Sequence, residues 1–259
     1  MKMKTTKSKK SAASSRPKNE KLPLEQLLPK LAAKGNGLAQ DTLADLYASG
    51  EGTPEQRAEA APWCRKMAER GEASAQYAMG AGHALGDAVP HDFTEAAKWF
   101  RLAADQGHVD AQIGLGLAYL KGEGVARDKS QAEHWWRAAA ETGNTKAQYL
   151  LGTLYGSRVS SSSNFPEAMR WHRKAAEQGH ANACYELALL YQEGLGVTQD
   201  LVEAYAWMKV AGELGCDEGR TIWKGLPSAA HLSRFAQKMS PEQTAAAESA
   251  SKMRLSRLG

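Results

Sequence analysis

A period of 36 residues constrains this sequence more than any other feature. An alanine, a tryptophan and a closing glycine recur in a fixed register over five copies without an insertion. The three columns are Ala39, Ala75, Ala111, Ala147 and Ala183; Trp63, Trp99, Trp135, Trp171 and Trp207; and Gly71, Gly107, Gly143, Gly179 and Gly215. A period of this length is typical of stacked repeats. Because one hairpin cannot cover its own apolar face, neighbouring repeats have to pack together.

The segment 111–143 shows the repeating unit most completely. Ala111 and Leu115 lie four residues apart, on what becomes the buried face of a first helix. A Gly-Glu-Gly-Val loop follows. Asp128 then precedes Gln131 by three residues, which is the spacing of a capping box at the start of a second helix. A glycine, which tolerates positive φ, ends that helix. Each repeat is therefore predicted to be a helix-turn-helix hairpin.

Two further columns have structural interpretations. The capping-box column is Asp92, Asp128, Asn164 and Asp200, followed by Glu95, Gln131, Glu167 and Glu203. Each box is expected to stabilise its helix by about 1 kcal/mol. The basic column is Arg65, Arg101, Arg137, Arg173 and Lys209, each with an acid four residues later: Glu69, Asp105, Glu141, Glu177 and Glu213. We interpret the second set as weak ion pairs on an exposed helix face.

Three repeats depart from the pattern. Pro62 lies inside a second helix, which it should bend or delay because it lacks an N–H. Ala88 stands where a loop glycine belongs. In the loop at 156–164, Arg158 and Ser160 replace glycines, so this loop is expected either to take another path or to move more than its counterparts.

The repeated pattern resembles the Sel-1-like repeat family, a relative of the tetratricopeptide repeats. The pattern is A-x-x-x-L-G-x-x-Y-x-x-G-x-G-V-x-x-D-x-x-x-A-x-x-W-x-x-x-A-A-x-x-G, and residues 111–143 match every specified position. The resemblance extends over about residues 24–218. It implies a scaffold of the kind used in signalling and protein-complex assembly. We predict an all-α protein, a right-handed α-solenoid of about five 36-residue helix-turn-helix repeats with helical caps.

The period also divides the chain. The predicted solenoid covers residues 23–218, as a half repeat at 23–36 and full repeats at 37–72, 73–108, 109–144, 145–180 and 181–216. A C-terminal helical cap is predicted at 219–259. Its last helix should begin with Ser240 as N-cap, Pro241 and Gln243, and should end near residue 256.

A basic tail precedes the repeats. Residues 1–21 contain eight basic side chains against Glu20, whereas the whole chain has a net charge of +4. We predict that residues 1–22 are disordered, because their composition offers little apolar surface to bury. Weak contacts with nucleic acid or an anionic membrane, a solubilising leader and a misassigned start all remain open. The lysines concerned are Lys2, Lys4, Lys7, Lys9 and Lys10.

The tail sequence also helps to predict the cellular location of the protein. Its lysines are not followed by the apolar segment of a secretory signal, and no apolar run is long enough for a membrane helix. We therefore expect a cytoplasmic protein with no integral membrane segment. The oligomeric state is not predicted.

No pattern of catalytic or metal-binding residues emerges, so we predict no enzyme activity, no cofactor and no metal site. The seven histidines lack H-E-x-x-H spacing, and there is no Walker loop or G-x-S-x-G elbow. Some Sel-1-like relatives are linked to β-lactam processing, which gives a hydrolase as the alternative function. The S-x-x-K sequence from Ser15 to Lys18 lies in the tail, and no S-D-N or K-T-G sequence accompanies it.

The three cysteines, Cys64, Cys184 and Cys216, are expected to be unbridged core residues. Some exported relatives join the second helix of one repeat to the next first helix by a disulfide. Here Ala176 stands at the position that would pair with Cys184. The resemblance therefore implies that this bridge is missing, which agrees with a reducing compartment.

The best candidate for function is the concave wall formed by the first helices. Positions two and six residues past the repeated alanine should point partly into this groove. Tyrosine is suited to peptide binding because it offers a large rigid surface with a polar tip. Alternatively, these side chains pack within the repeats. The predicted groove residues are Asp41, Asp45, Tyr77, Ile113, Leu117, Tyr149, Thr153, Tyr185 and Leu189, with Ala81 in the same row.

Overall fold

The computed structural model describes residues 24–86, 88–157, 163–215 and 229–258, which are helical with connecting turns and contain no strand. The half repeat contributes α1 (Leu24–Ala33). The hairpins are α2 (Gly37–Ser49) with α3 (Pro54–Glu69), α4 (Ala73–Leu85) with α5 (Phe93–Asp105), α6 (Val109–Lys121) with α7 (Lys129–Glu141), α8 (Thr145–Tyr155) with α9 (Phe165–Ala176), and α10 (Ala181–Glu193) with α11 (Leu201–Glu213). The C-terminal helices are α12 (Ala229–Ala236) and α13 (Pro241–Leu258). The predicted all-α repeat architecture is confirmed.

The core follows the predicted columns. All five repeated alanines are buried, as are the tryptophans from Trp99 onwards, whereas Trp63 is partly exposed. Cys64 and Cys184 are also buried and form no disulfide. The Cys184 Sγ lies 3.8 Å from the carbonyl oxygen of Ala176, as its position in the repeat predicts. Cys216 and the basic tail lie outside the described residues.

Large side chains of the second helices pack against small residues of the first helices. A Cβ built on Gly116 would lie 2.3 Å from Nε1 of Trp136, and one on Gly152 would lie 2.6 Å from the ring of His172. The same close approach occurs between Gly80 and Phe100 in repeat two. These glycines are needed because a methyl group has no room beside the facing ring. The first and fifth repeats have alanine at this position, Ala44 and Ala188, and a side chain without a ring at the corresponding second-helix position, Cys64 and Met208.

The predicted capping boxes are only half formed in four repeats. Asp128 accepts hydrogen bonds from the backbone N–H groups of Ser130 and Gln131, as an N-cap should. Its own N–H, however, donates to the carbonyl of Tyr119 across the hairpin, so it is not available to Gln131. The backbone N–H groups of Asp92, Asn164 and Asp200 also bond to the preceding first helix. The reciprocal half of the prediction is therefore wrong for these four helices.

Complete capping boxes occur at two other helices. In α3, Gln56 accepts from the Thr53 N–H at 2.8 Å and donates its own backbone N–H to the Thr53 hydroxyl. In α13, Ser240 and Gln243 exchange the same two bonds. Because Thr53 provides this cap, α3 is 16 residues long and begins before the position expected from the other repeats. The expected delay at Pro62 is wrong, and the proline lies within a continuous helical segment.

A glutamine column joins each repeat to the next. Gln76, Gln112 and Gln148 lie on first helices and donate to the carbonyls of Ala68, Ala104 and Ala140 at the ends of the preceding second helices. Gln40 does the same to Ala32. These carbonyls are among those that a helix end leaves without an intrahelical partner. Each carbonyl also accepts from the backbone N–H of the glycine three residues later, so the side-chain amide adds a second hydrogen bond at four successive junctions.

The loops differ at the positions where the sequence departs from the pattern. Gly122 and Gly194 end their helices with φ of 79° and 67°. Gly156, in contrast, has φ of −82°, and α8 is 11 residues long. The described start of this loop therefore takes another path. Ala88 adopts φ of 62°, a region that alanine rarely occupies, because it stands at the loop-glycine position.

Candidate partner-binding surface

The structure leaves most of the predicted groove residues at least partly accessible. Asp41, Asp45 and Thr153 are exposed on α2 and α8. The partly buried residues of the set are Tyr77, Leu117, Tyr149, Tyr185 and Leu189, together with Ala81. Ile113 differs from the others, because only 3% of its surface is exposed. It packs in a cluster with Trp136 and Leu151, so the prediction that it faces the groove is wrong.

Two of the tyrosines are held by histidines of the following repeat. Tyr77 stacks on His108, with ring centroids 4.8 Å apart, and Tyr149 stacks on His180 at 4.6 Å. Both histidines are also N-caps. Nδ1 of His108 accepts from the Ala111 N–H at 3.3 Å, and Nδ1 of His180 accepts from the Ala183 N–H. The tyrosines are therefore partly packed within the repeats, and this packing fixes their orientation along the wall.

The stacking follows the sequence columns. Tyr77 and Tyr149 are each followed by a histidine N-cap, whereas Ile113 is followed by the N-cap Asn144. The residue that corresponds to these N-caps after Tyr185 is Cys216, which lies outside the described residues. Burial raises the pKa of Tyr77, and nearby Asp110 adds to this effect. The hydroxyl therefore stays protonated at neutral pH. It can donate a hydrogen bond to a partner.

A cavity of about 490 Å³ lies at the N-terminal end of this wall. Leu28 from α1 and Leu43 and Leu46 from α2 contribute apolar surface. Asp45, one of the predicted groove residues, lines the cavity with Glu59 from the start of α3. The cavity combines an apolar floor with carboxylates, so its chemistry suits an apolar side chain that has a basic neighbour.

The basic column is arranged differently from the prediction. Arg101, Arg137 and Arg173 each donate through Nη2 to a tyrosine hydroxyl on the following first helix: Tyr119, Tyr155 and Tyr191, respectively. Lys209 instead pairs with Glu248 of α13. Among the described residues, none of the predicted pairs with an acid four residues later forms. Each of these arginines crosses the junction between two repeats to bond to a tyrosine hydroxyl, so this column connects neighbouring repeats.

The described residues contain no group of three histidine, cysteine or acidic side chains placed to hold a metal. Burial raises the pKa of the Cys64 thiol to about 12, so the thiolate nucleophile is scarce at neutral pH. The Ser15–Lys18 segment lies outside the described residues. No described helix combines the length and the apolar character that a membrane crossing needs.

The sequence reasoning missed the histidine N-caps and the glutamine column. The glutamine signal was visible, since Gln40, Gln76, Gln112 and Gln148 all follow a repeated alanine directly. The histidine signal was weaker because the N-cap position is not constant and reads Asn36, Glu72, His108, Asn144 and His180. Neither column forms a catalytic arrangement, and both connect neighbouring repeats.

Several known proteins are similar to this chain. A Sel1 repeat protein from Oxalobacter formigenes is 28% identical with a TM-score of 0.63, over 84% of this chain and 92% of that one. A protective antigen from uropathogenic Escherichia coli, described as displaying an SLR fold, is 24% identical with a TM-score of 0.45, over 90% of this chain and 64% of that one. An immunity protein from Pseudomonas aeruginosa is 21% identical with a TM-score of 0.45, over 80% and 78%.

The comparison with curated proteins found no significant match. The family model for the Sel1 repeat matches residues 37–72, 73–108, 109–144, 145–180 and 181–216. These five consecutive segments cover most of the chain and contain every complete helical hairpin. The chain therefore belongs to the Sel1 repeat family.

Proposed function

We propose that this chain is a non-enzymatic scaffold that binds a protein or peptide partner along the wall of first helices. Sel1 repeat proteins generally mediate protein–protein interactions, and their repeat scaffold is typically non-enzymatic. The proposed contact residues on this wall are Asp41, Asp45, Tyr77, Leu117, Tyr149, Thr153, Tyr185 and Leu189.

The observation that carries the proposal is the pair of partly exposed tyrosines on first helices, each held by stacking on a histidine of the next repeat. Stacking on His108 and His180 orders Tyr77 and Tyr149 before any partner arrives, so little rotamer entropy is lost on binding. The 490 Å³ cavity beside Asp45 offers a pocket for an anchoring side chain. Extended grooves of this kind are a usual recognition surface of stacked repeats.

Affinity purification followed by mass spectrometry tests the proposal. We expect Tyr149→Ala with Tyr185→Ala, and separately Asp41→Asn with Asp45→Asn, to lose partners that the wild type retains. Leu102→Ala is the matched control, because Leu102 is 47% exposed on α5, a second helix away from the wall. If all variants retain the same partners at the same levels, the groove is not the partner-binding surface. Thermal denaturation must show that each variant is folded.

A further inference from the structure

A second cavity, of about 480 Å³, lies where the last repeat meets the capping helix α13. Arg173 of α9 and Tyr191 of α10 line one side of it. Trp207 of α11 and the arginines Arg254 and Arg257 of α13 line the other. The lining includes none of the proposed groove residues, so this cavity is separate from the proposed partner-binding wall.

Arg254 is already engaged and forms a fixed part of the wall. Its Nη2 lies 2.8 Å from both carboxylate oxygens of Glu203. Its guanidinium lies over the Trp207 ring, 4.3 Å from the centroid. The Arg254 charge is thus balanced within the protein, and the pair holds α13 against α11.

Arg173 differs from its counterpart in the preceding repeat. Arg137 bonds to a tyrosine hydroxyl and also pairs with Glu133, four residues earlier, at 2.7 Å. Arg173 has the equivalent bond to Tyr191, but Met169 stands where Glu133 would be. Among the residues that the structure describes, no carboxylate lies within ion-pair distance of the Arg173 guanidinium. Its charge therefore remains unbalanced beside the cavity.

Arg257 adds a second such charge. It is exposed, and Nη2 lies 3.7 Å from the Met253 sulfur, which balances no charge. Glu177 also lines the cavity, so three guanidinium groups face two carboxylates, Glu177 and Glu203. The cavity consequently has an excess of positive charge together with aromatic walls. Its volume is within the range of ligand pockets.

We propose that this cavity binds an acidic segment of a protein partner, with an aspartate or glutamate carboxylate held between Arg173 and Arg257. Guanidinium groups form strong, directional hydrogen bonds with carboxylates. Tyr191 and Trp207 offer ring surface to the neighbouring part of the peptide. A basic peptide would meet like charges here, so the cavity selects for acidic sequence.

Fluorescence anisotropy of labelled hexaglutamate tests this inference on the full chain at low ionic strength, where ionic contacts are least screened. Arg257→Gln and Arg173→Gln should each weaken binding about tenfold, since each removes a charge-assisted bond. Arg137→Gln is the matched control, because Glu133 already balances Arg137, and should change the affinity less than about twofold. Arg257 is exposed, so its replacement keeps the fold even if Arg173→Gln destabilises the junction.

Four results would overturn the proposal. The first is no hexaglutamate binding below about 1 mM. The second is an equal loss in Arg137→Gln, which would indicate general attraction to a basic surface. The third is equal binding of labelled hexalysine. In the fourth, inorganic phosphate competes as well as unlabelled hexaglutamate, which would indicate a small-anion site.

Discussion

At the scale of single residues, repeat four places a histidine where its neighbours have larger aromatic rings. His172 occupies the position of Phe100 and Trp136, and its ring packs on Gly152 with 2% of its surface exposed. Burial lowers the pKa of His172 to about 3, and the nearby His180 adds to this effect. His172 is therefore neutral in the folded protein at neutral pH.

This burial predicts acid sensitivity. The His172 pKa is about 3 in the folded state and about 6.5 in the unfolded chain, so between these values the unfolded state binds more protons. The His172 contribution to stability should fall as pH drops below about 6.5, by up to about 1.4 kcal/mol per pH unit, and this contribution should level off near pH 3.

Replacing the ring isolates this contribution. His172→Phe reproduces the Gly80 and Phe100 pair of repeat two and should remove this part of the slope. Urea denaturation of both proteins from pH 7 to pH 4 measures the difference. Carboxylates contribute equally to both, so parallel pH profiles would contradict the assignment.

At the scale of helices, the N-cap residues of α5, α7, α9 and α11 each bond through the backbone N–H to the preceding first helix. The Asp128 side chain caps α7, while its backbone N–H bonds to Tyr119 of α6. The residue thus fixes both the start of one helix and its attachment to the other. The sequence spacing indicated the cap but could not show that the backbone N–H was occupied, because that bond depends on the packing of the hairpin.

The two kinds of cap should respond differently to substitution. Asp128→Ala should cost about 1 kcal/mol, because it removes the acceptor for two backbone N–H groups. Gln131→Ala should change stability by less than about 0.5 kcal/mol. Gln56→Ala, the matched change in a complete capping box, should cost about 0.5 to 1 kcal/mol. Chemical denaturation ranks the three, and a larger loss for Gln131→Ala than for Gln56→Ala would contradict the difference.

At the scale of the whole molecule, α13 closes the end of the array. Glu248 of this helix accepts a hydrogen bond from Tyr205 and pairs with Lys209, and the Tyr205 pKa is raised to about 12 by burial and by this carboxylate. Arg254 makes the second attachment, to Glu203. All of these partners lie on α11, so the cap acts directly on the last repeat.

Removal of residues 237–259 should therefore loosen the C-terminal end first. In an array where each repeat contacts mainly its neighbours, the loss should decay along the chain. Hydrogen exchange should show less protection in α10 and α11, with α4 to α7 nearly unchanged. Lys252→Ala, at an exposed position on α13, serves as the control. A uniform loss of protection would show that the array unfolds as one cooperative unit.

The sequence by itself determined the all-α repeat fold, the positions of most helices and the buried alanine and tryptophan columns. Because the 36-residue register is fixed, all five copies indicate the same local structure. An atypical residue in one copy therefore does not change the helix assignment that the other copies support. Two departures were also visible where the glycine pattern fails. Ala88 adopts a positive φ, and α8 ends at Gly156 without the positive φ of the other C-cap glycines of first helices.

Only the tertiary structure decided what each surface column contacts. The periodicity places Ile113 and the tyrosines at one position, but in the folded chain Ile113 is buried in a cluster with Trp136, while Tyr77 stacks on His108. The tertiary structure also decided that Arg173 bonds to Tyr191, 18 residues away, rather than to Glu177 at the C-cap of its own helix. Helical spacing describes neighbours within one helix, whereas these contacts join different repeats, and their geometry depends on how the repeats pack.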